Sequence, residues 1–294
     1  MRVFITGATG FIGSPLVRQL RDAGHQVLGL TRSDAGARSL IDAGAQVHRG
    51  SLEDLESLRS GVSISDGVIH LAFNHDFSKY ADNCEADRRA IESMGSALVG
   101  SDRPLIVTGG IAVDAPGRPA TEEDPPSSLI PRAASELTVD TLAARGVRAS
   151  IVRLPQVHNL YMQGLITLLI AIAREKGVSA FVADGANRWP AVHLTDAVEL
   201  YALALEKGCA GARYHAVAEE GVPLRQIAEV IGRRLNLPIV SKSPEEASAH
   251  FGWLGLFAGH DGPASSALTR EKLGWHPLGP GLIADLERAH NLEA

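Results

Sequence analysis

The sequence predicts an α/β fold: a doubly wound parallel Rossmann sheet with a smaller C-terminal substrate domain. Three observations predict it. A glycine turn joins the first strand-like run to the first helix, strand and helix signals alternate as far as Pro155, and the rhythm changes beyond that proline.

Val3-Phe4-Ile5 reads as the first strand, Pro15 to Ala23 as the first helix and Gln26 to Leu30 as the second strand, followed by a helix over Ala35 to Ala43. Apolar runs at Val47, Val68 to Leu71, Leu105 to Val107 and Ser150 to Leu154 supply strands three to six. Helices near Leu52 to Leu58, Asp82 to Val99 and Arg132 to Ala144 lie between them. After Pro155 an apolar helix, Leu165 to Arg174, leads into a turn region over Gly177 to Asn187 and then into WPAVHLTDAVELYALALEKG. There Thr195 or Asp196 would cap a helix whose Val198, Tyr201, Ala202 and Leu205 fall at helical spacing. Tyr214 to Val217 reads as one more strand and Leu224 to Leu235 as a helix, with a glycine- and aromatic-rich stretch from Phe251 to Gly262. The expected division assigns residues 1–157 and about 189–218 to a dinucleotide-binding domain, and about 158–188 and 219–294 to a substrate-binding portion.

The chain has 294 residues, 45% of them hydrophobic, and a formal charge of -6, so it offers no electrostatic footprint for nucleic acid or an anionic membrane. The most apolar stretch, Leu165 to Ala173, is too short to span a bilayer. The expected partners are a small-molecule substrate and a second copy of the chain. Cys84 and Cys209 form no CxxC pair, which argues against a disulfide framework and against a thiolate zinc site. His70 and His75 straddle a strand-to-loop transition with no acidic cluster beside them, so no metal is expected. The opening MRVFITG meets glycine too early for a signal-peptide core, and a reducing cytoplasm is the expected compartment.

Gly7, Gly10 and Gly13 lie in TGATGFIG between the first strand and first helix, where a pyrophosphate would meet free amides and the positive helix end. At the end of the second strand the sequence reads Thr31-Arg32-Ser33, with Arg38 one turn into the next helix. A guanidinium fork and a hydroxyl there suit the extra phosphate of NADP(H), the preferred cofactor. Asp34 keeps NAD(H) as the alternative, unless it caps the following helix.

TGATGFIG, HLA at His70 to Ala72, VRLP at Val152 to Pro155, WPAVHLTD at Trp189 to Asp196 and LGWHP at Leu273 to Pro277 together resemble the extended short-chain dehydrogenase/reductase family. Within it the chain looks like the atypical NAD-dependent epimerase/dehydratase-like oxidoreductases. The resemblance implies that Thr6 to Gly13, with Thr9, Phe11 and Ile12, wrap the pyrophosphate. It further implies that Ser51 and Leu52 flank the adenine, that Leu71, Ala72 and Phe73 line the adenosine ribose, and that Pro155 and Val157 sit near the nicotinamide carboxamide. A homodimer formed through the helices Asp82 to Val99 and Arg132 to Ala144 is implied in the same way.

The family's Ser, Tyr and Lys catalytic set is broken at every member. Gly109 and Gly110 stand where the serine is expected, leaving Thr108 as the nearby hydroxyl, and RAASE aligns Arg132 with the tyrosine and Glu136 with the lysine. Arg132 cannot release a proton near neutrality but can stabilise an oxyanion, and Glu136 can accept hydrogen bonds from the nicotinamide ribose. The competing reading is an i,i+4 salt bridge between the two. His158 and Tyr161, after strand six, are candidate proton donors. The loop AFNHDFSKY presents Asn74, His75, Phe77 and Tyr80 to a substrate, with Gly110, Tyr161, His193 and Trp253 as further candidates. His193 also reads as a structural residue before a helix cap. Phe251, Trp253, Leu254 and Phe257 read either as an apolar wall for the substrate or as core packing.

The expected function is an NADP-preferring oxidoreductase moving hydride to or from a small carbonyl, alcohol or imine-type carbon, with a non-standard proton donor. The alternatives are a sugar-nucleotide-type epimerase or dehydratase, and a non-catalytic NADP-sensing regulatory protein.

Overall fold

The computed structural model describes residues 1–292; Glu293 and Ala294, the last two of the expected substrate portion, lie outside the described residues. The first half runs β1 (Arg2–Thr6), α1 (Gly13–Asp22), β2 (Gln26–Thr31), α2 (Asp34–Asp42), β3 (Gln46–Arg49), α3 (Leu55–Ser63), β4 (Gly67–His70), α4 (Tyr80–Ser96), β5 (Leu105–Gly110), α5 (Ala133–Ala144) and β6 (Ala149–Leu154). The second half adds β7 (Gln156–His158), α6 (Ile166–Lys176), β8 (Ser179–Val182), β9 (Arg188–His193), α7 (Leu194–Lys207), β10 (Arg213–His215), β11 (Glu219–Pro223) and α8 (Leu224–Leu235). It closes with β12 (Ile239–Lys242), α9 (Pro244–Phe251), α10 (Gly255–Ala258), α11 (Ala267–Leu273) and α12 (Leu282–Leu286).

Seven strands form one sheet in the order β10-β6-β5-β4-β1-β2-β3, parallel at every step. Val3, Phe4 and Ile5 are fully buried because helices cover both faces, which is why β1 is an unbroken apolar run rather than an alternating one. The strand order reverses between β1 and β4, and at such a switch point the carboxyl ends of the strands leave a ligand crevice. α1 packs through Gly13, Leu16, Val17 and Leu20, an i, i+3, i+4, i+7 stripe.

A second apolar core gathers Ile166, Ile170, Trp189, Ile227, Phe251, Leu254, Leu282 and Leu286 from the later helices and strands. The expected turn region Gly177 to Asn187 holds a strand, β8, paired in parallel with β12. Its four residues are buried and its partner lies far along the chain, so no local alternation announces it. The third helix falls at Leu55–Ser63 rather than Leu52 to Leu58, because Asp54 caps it through Ser57 N. No helix among the described residues is long and apolar enough to cross a membrane.

Two caps differ from expectation. Ser33, not Asp34, caps α2: its Oγ accepts from Gly36 N at 3.0 Å, while the Asp34 carboxylate takes Arg49 Nη2 at 2.6 Å. His193, rather than Thr195 or Asp196, caps α7, with Nδ1 accepting from Thr195 N at 3.3 Å. Asp196 is thereby released to bind the C-terminal segment. Its two carboxylate oxygens accept the Leu278 and Gly279 amides at 3.0 and 2.9 Å, and its carbonyl accepts Trp275 Nε1 at 3.0 Å. The LTD and LGWHP segments are therefore two halves of one buried anchor.

Candidate active site

β1 ends at Thr6 and the chain turns at Gly7, whose φ of +68° favours glycine. Gly10 N donates to Gly7 O at 2.9 Å and closes the turn. A Cβ on Gly7 would lie 2.8 Å from Ala72 N, and one on Gly13 only 2.0 Å from Gly7 O. The turn thus presses backbone on backbone at both ends. α1 begins with no side-chain cap and no acidic residue in its first turn, so its positive dipole end is left for an anion; Ser14 N is taken by Gly10 O at 2.9 Å and Pro15 has no N–H, so amides would come from Gly13 and the turn before it. Thr9 and Gly10 are exposed, and Phe11 and Ile12 half-buried, around that helix start. These features fit the pyrophosphate of a dinucleotide.

Next to the cradle, at the end of β2, Thr31 is buried while Arg32, Ser33 and Arg38 are exposed. Arg38 and Arg18 border a surface recess shared with Ala35, Ser39, Asp42 and Ala43; Arg18 carries no sequence signal because nothing local ties α1 to α2. Ser51 and Leu52 follow β3, both half-buried. Leu71 to Phe73 leave β4 half-buried, with Ala72 N donating to Thr6 Oγ1 at 3.2 Å.

A buried polar chain runs beneath this crevice. Thr6 Oγ1 meets His70 Nδ1 at 2.7 Å, and His70 Nε2 meets Asp87 Oδ1 at 3.0 Å, an arrangement that fits a ring protonated at Nε2. The other Asp87 oxygen accepts Ser135 Oγ at 2.6 Å and faces Arg132 Nη1 at 3.4 Å. Burial opposes the charge on Asp87, but the Arg132 cation and the His70 hydrogen bond outweigh it and hold the carboxyl below the usual carboxylate range. Arg132 also donates from Nη2 to Thr108 O at 3.0 Å and lays its guanidinium 3.7 Å from the centre of the Phe73 ring. Only 13% of its side chain reaches solvent. Thr108 Oγ1 donates to His70 O at 2.8 Å and lies 2.7 Å from Tyr201 OH, a phenol that burial pushes up.

Glu136 has a different post from the one its alignment suggests. Its carboxylate receives Arg153 Nε at 3.0 and 3.1 Å, Arg153 Nη2 at 2.7 Å and Arg213 Nε at 3.3 Å. Arg132, at the cap position of α5, turns its guanidinium to Thr108 O, Asp87 and the Phe73 ring, and the i,i+4 pairing with Glu136 does not form. Both oxygens are engaged by the buried Arg153 guanidinium, and Oε2 also by the half-buried Arg213, so the carboxylate is committed to an ion-pair network.

The later candidates separate. His158 is fully buried, its Nδ1 2.7 Å from Asp285 Oδ2, and burial pushes its pKa down despite that carboxylate. Tyr161 is 69% exposed and stacks on His290. His193 caps α7 and lies 3.7 Å from Asp285. By contrast His75, Phe77 and Trp253 come together: Phe77 stacks on Trp253 at 4.4 Å and lies 6.1 Å from His75. Phe251 and Leu254 are buried in the second core, so the four-residue wall divides between packing and surface. Gly110 ends β5 in open space, where a Cβ would find no atom nearer than 4.0 Å; Pro155 is half-buried, and Val157 is buried. Asp87, Ser135 and Tyr201 escape a reading of the sequence. Their signal was the His70 strand end, whose buried imidazole demands partners that only the fold reveals.

Beside Glu136, His215 Nδ1 donates to Ser265 O at 2.8 Å and Nε2 accepts from Arg153 Nη1 at 3.1 Å, so the buried ring must be neutral. Burial and the Arg153 charge push its pKa down to about 4. The unfolded chain then binds the proton first. Stability from this group is present above pH 6.5 and is lost as pH falls toward 4, up to about 3 kcal/mol by linkage. Urea unfolding between pH 7 and 5 should follow this decline, and His215→Gln should flatten it; equal slopes would refute the assignment.

A family model described as the NAD dependent epimerase/dehydratase family matches residues 3–217. The chain belongs to that family. As a member of it, the protein is an NAD(P)-dependent enzyme of the short-chain dehydrogenase/reductase type. An uncharacterized protein of Schizosaccharomyces pombe is 51% identical over 97% of this chain and 98% of its own. A UDP-glucose 4-epimerase of Streptomyces lividans is 27% identical over 94% of this chain and 91% of its own. Among solved structures, a dTDP-glucose 4,6-dehydratase from Streptomyces venezuelae with NAD bound superposes with a TM-score of 0.79 at 20% identity, covering 99% of this chain and 96% of that one. The family fold, with the Rossmann sheet and later elements alike, thus extends along this epimerase/dehydratase-like chain.

Proposed function

We propose that the protein is an NADP(H)-dependent oxidoreductase that reduces a carbonyl or imine-type carbon of a small molecule, or oxidises the corresponding alcohol. The observation carrying the cofactor choice is the end of β2. Asp34, the residue that would favour a free ribose, is drawn to Arg49 at 2.6 Å, while Arg32, Ser33 and Arg38 stay exposed beside the glycine turn. Bound NADPH would supply the hydride. Gly7 to Gly13 would hold its pyrophosphate, and Arg32 with Arg38 its ribose phosphate. Phe73 and Phe77, from the dinucleotide-binding part, and Trp253, which stacks on Phe77 from the later substrate-binding portion, would border the substrate.

NADPH consumption with a panel of small carbonyls and imines tests this reading. Arg32→Ala should raise the KM for NADPH about 10- to 100-fold, the loss of one or two charge-assisted hydrogen bonds, and leave NADH use unchanged. A wild-type preference for NADH, or an Arg32→Ala variant with unaltered KM, would count against NADP(H).

A further inference from the structure

Hydride transfer to a carbonyl needs a proton donor, and the expected positions do not supply one. Arg132 keeps its protons near neutrality, and the Thr108 hydroxyl is committed to His70 O. α4 begins at Tyr80 and brings Tyr80, Cys84 and Asp87 onto one face at i, i+4 and i+7. That face meets the Arg132 cluster. The Tyr80 ring centre lies 6.3 Å from Phe73 and 5.8 Å from Phe77, and Phe73 carries the Arg132 guanidinium at 3.7 Å. Tyr80 is half-buried, one helical turn before Cys84 and within the field of both Arg132 and Asp87. It therefore stands in the aromatic border of the crevice, beside the same Phe73 ring that carries the buried cation.

We propose that Tyr80 is the proton donor of the reaction and that Arg132 is its positioning cation, taking from α4 and the entry to α5 the roles left vacant on α5. The assignment rests on the NADP(H) reading above. During reduction the carbonyl carbon gains a hydride from the dihydronicotinamide, which is oxidised, and the π pair moves to oxygen. The Tyr80 O–H bond breaks, its proton forms the alcohol O–H, and the phenolate left behind faces Arg132 until solvent returns a proton. Burial pushes the phenol up to about 12, and Arg132 pulls against that rise. Tyr80 is thus protonated at neutral pH, as a donor must be, while the cation limits the cost of losing the proton.

Tyr80→Phe should lower turnover by about 100-fold or more while NADPH affinity, read by fluorescence titration, stays at the wild-type value. Retained turnover in that variant would overturn the proposal. A fluorinated tyrosine at position 80 gives a ¹⁹F signal whose titration reports the phenol without any catalysis. Its midpoint should rise by about one pH unit or more when Arg132→Gln removes the cation. An unmoved midpoint would overturn the pairing even if no carbonyl on the panel is reduced, and that second failure alone would instead strike the NADP(H)-reductase reading.

Discussion

Replacing Gly13 by alanine is expected to abolish NADPH binding, with at least about a 100-fold loss of affinity against the wild type. The added Cβ would sit 2.0 Å from Gly7 O and 2.9 Å from Ala8 Cα, and both are parts of the turn rather than flexible side-chain ends. Relief requires the first turn of α1 to withdraw from β1, which removes the amides from the anion they would face. The same displacement should cost about 1–3 kcal/mol of stability, the usual effect of forcing extra volume into a packed site. Gly110→Ala supplies the contrast: the nearest atom to its Cβ would be Leu154 O at 4.0 Å, so its unfolding midpoint should stay close to that of the wild type. Fluorescence titration with NADPH and urea unfolding measure the two effects separately. Undiminished binding by the Gly13→Ala protein would remove the β1–α1 turn from the site.

Glu136→Ala should destabilise the fold by about 3–5 kcal/mol, the usual result of stripping the partner from a buried ion pair. Arg153 is fully buried and gives Nε and Nη2 to this one carboxylate; its remaining partners are His215 Nε2 and Asp124 O. Removing the anion leaves a guanidinium in an apolar interior beside a ring that cannot accept more positive charge. Urea unfolding should register the loss, while NADPH affinity of the folded protein should be unaltered. The reverse pattern, intact stability with weakened binding, would restore the ribose contact suggested by the position of Glu136 in the RAASE segment.

The glycine turn was legible because it is a local pattern: three glycines between a buried strand and an amphipathic helix have few other physical uses. The alternation from β1 to β6 was legible for the same reason, since short buried apolar runs mark the strands and the helices between them carry their own period. What escaped was non-local. The His70–Asp87–Arg132 contacts join the end of β4, the middle of α4 and the entry to α5, and no spacing in the chain encodes them. His158 follows the sixth strand and Pro155, so it reads as a loop residue, yet it ends the three-residue strand β7 and is paired with Asp285 of α12. The α2 cap turned on one position: Ser33 and Asp34 are both good cap residues, and the extended backbone at Ser33 decided between them. Arg132 and Glu136 share an i,i+4 spacing, but each is drawn to a non-local partner, Arg132 to Asp87 and Thr108 O and Glu136 to Arg153, and spacing along a helix does not announce such partners.

Whether the β1–α1 turn and the end of β2 together select NADP(H) is tested most directly by calorimetric titration of the wild-type protein with NADPH and with NADH. One NADPH should bind per chain, at least about tenfold more tightly than NADH, a difference of roughly 1.4 kcal/mol. Absence of binding by either nucleotide, or tighter binding of NADH, would contradict that selection.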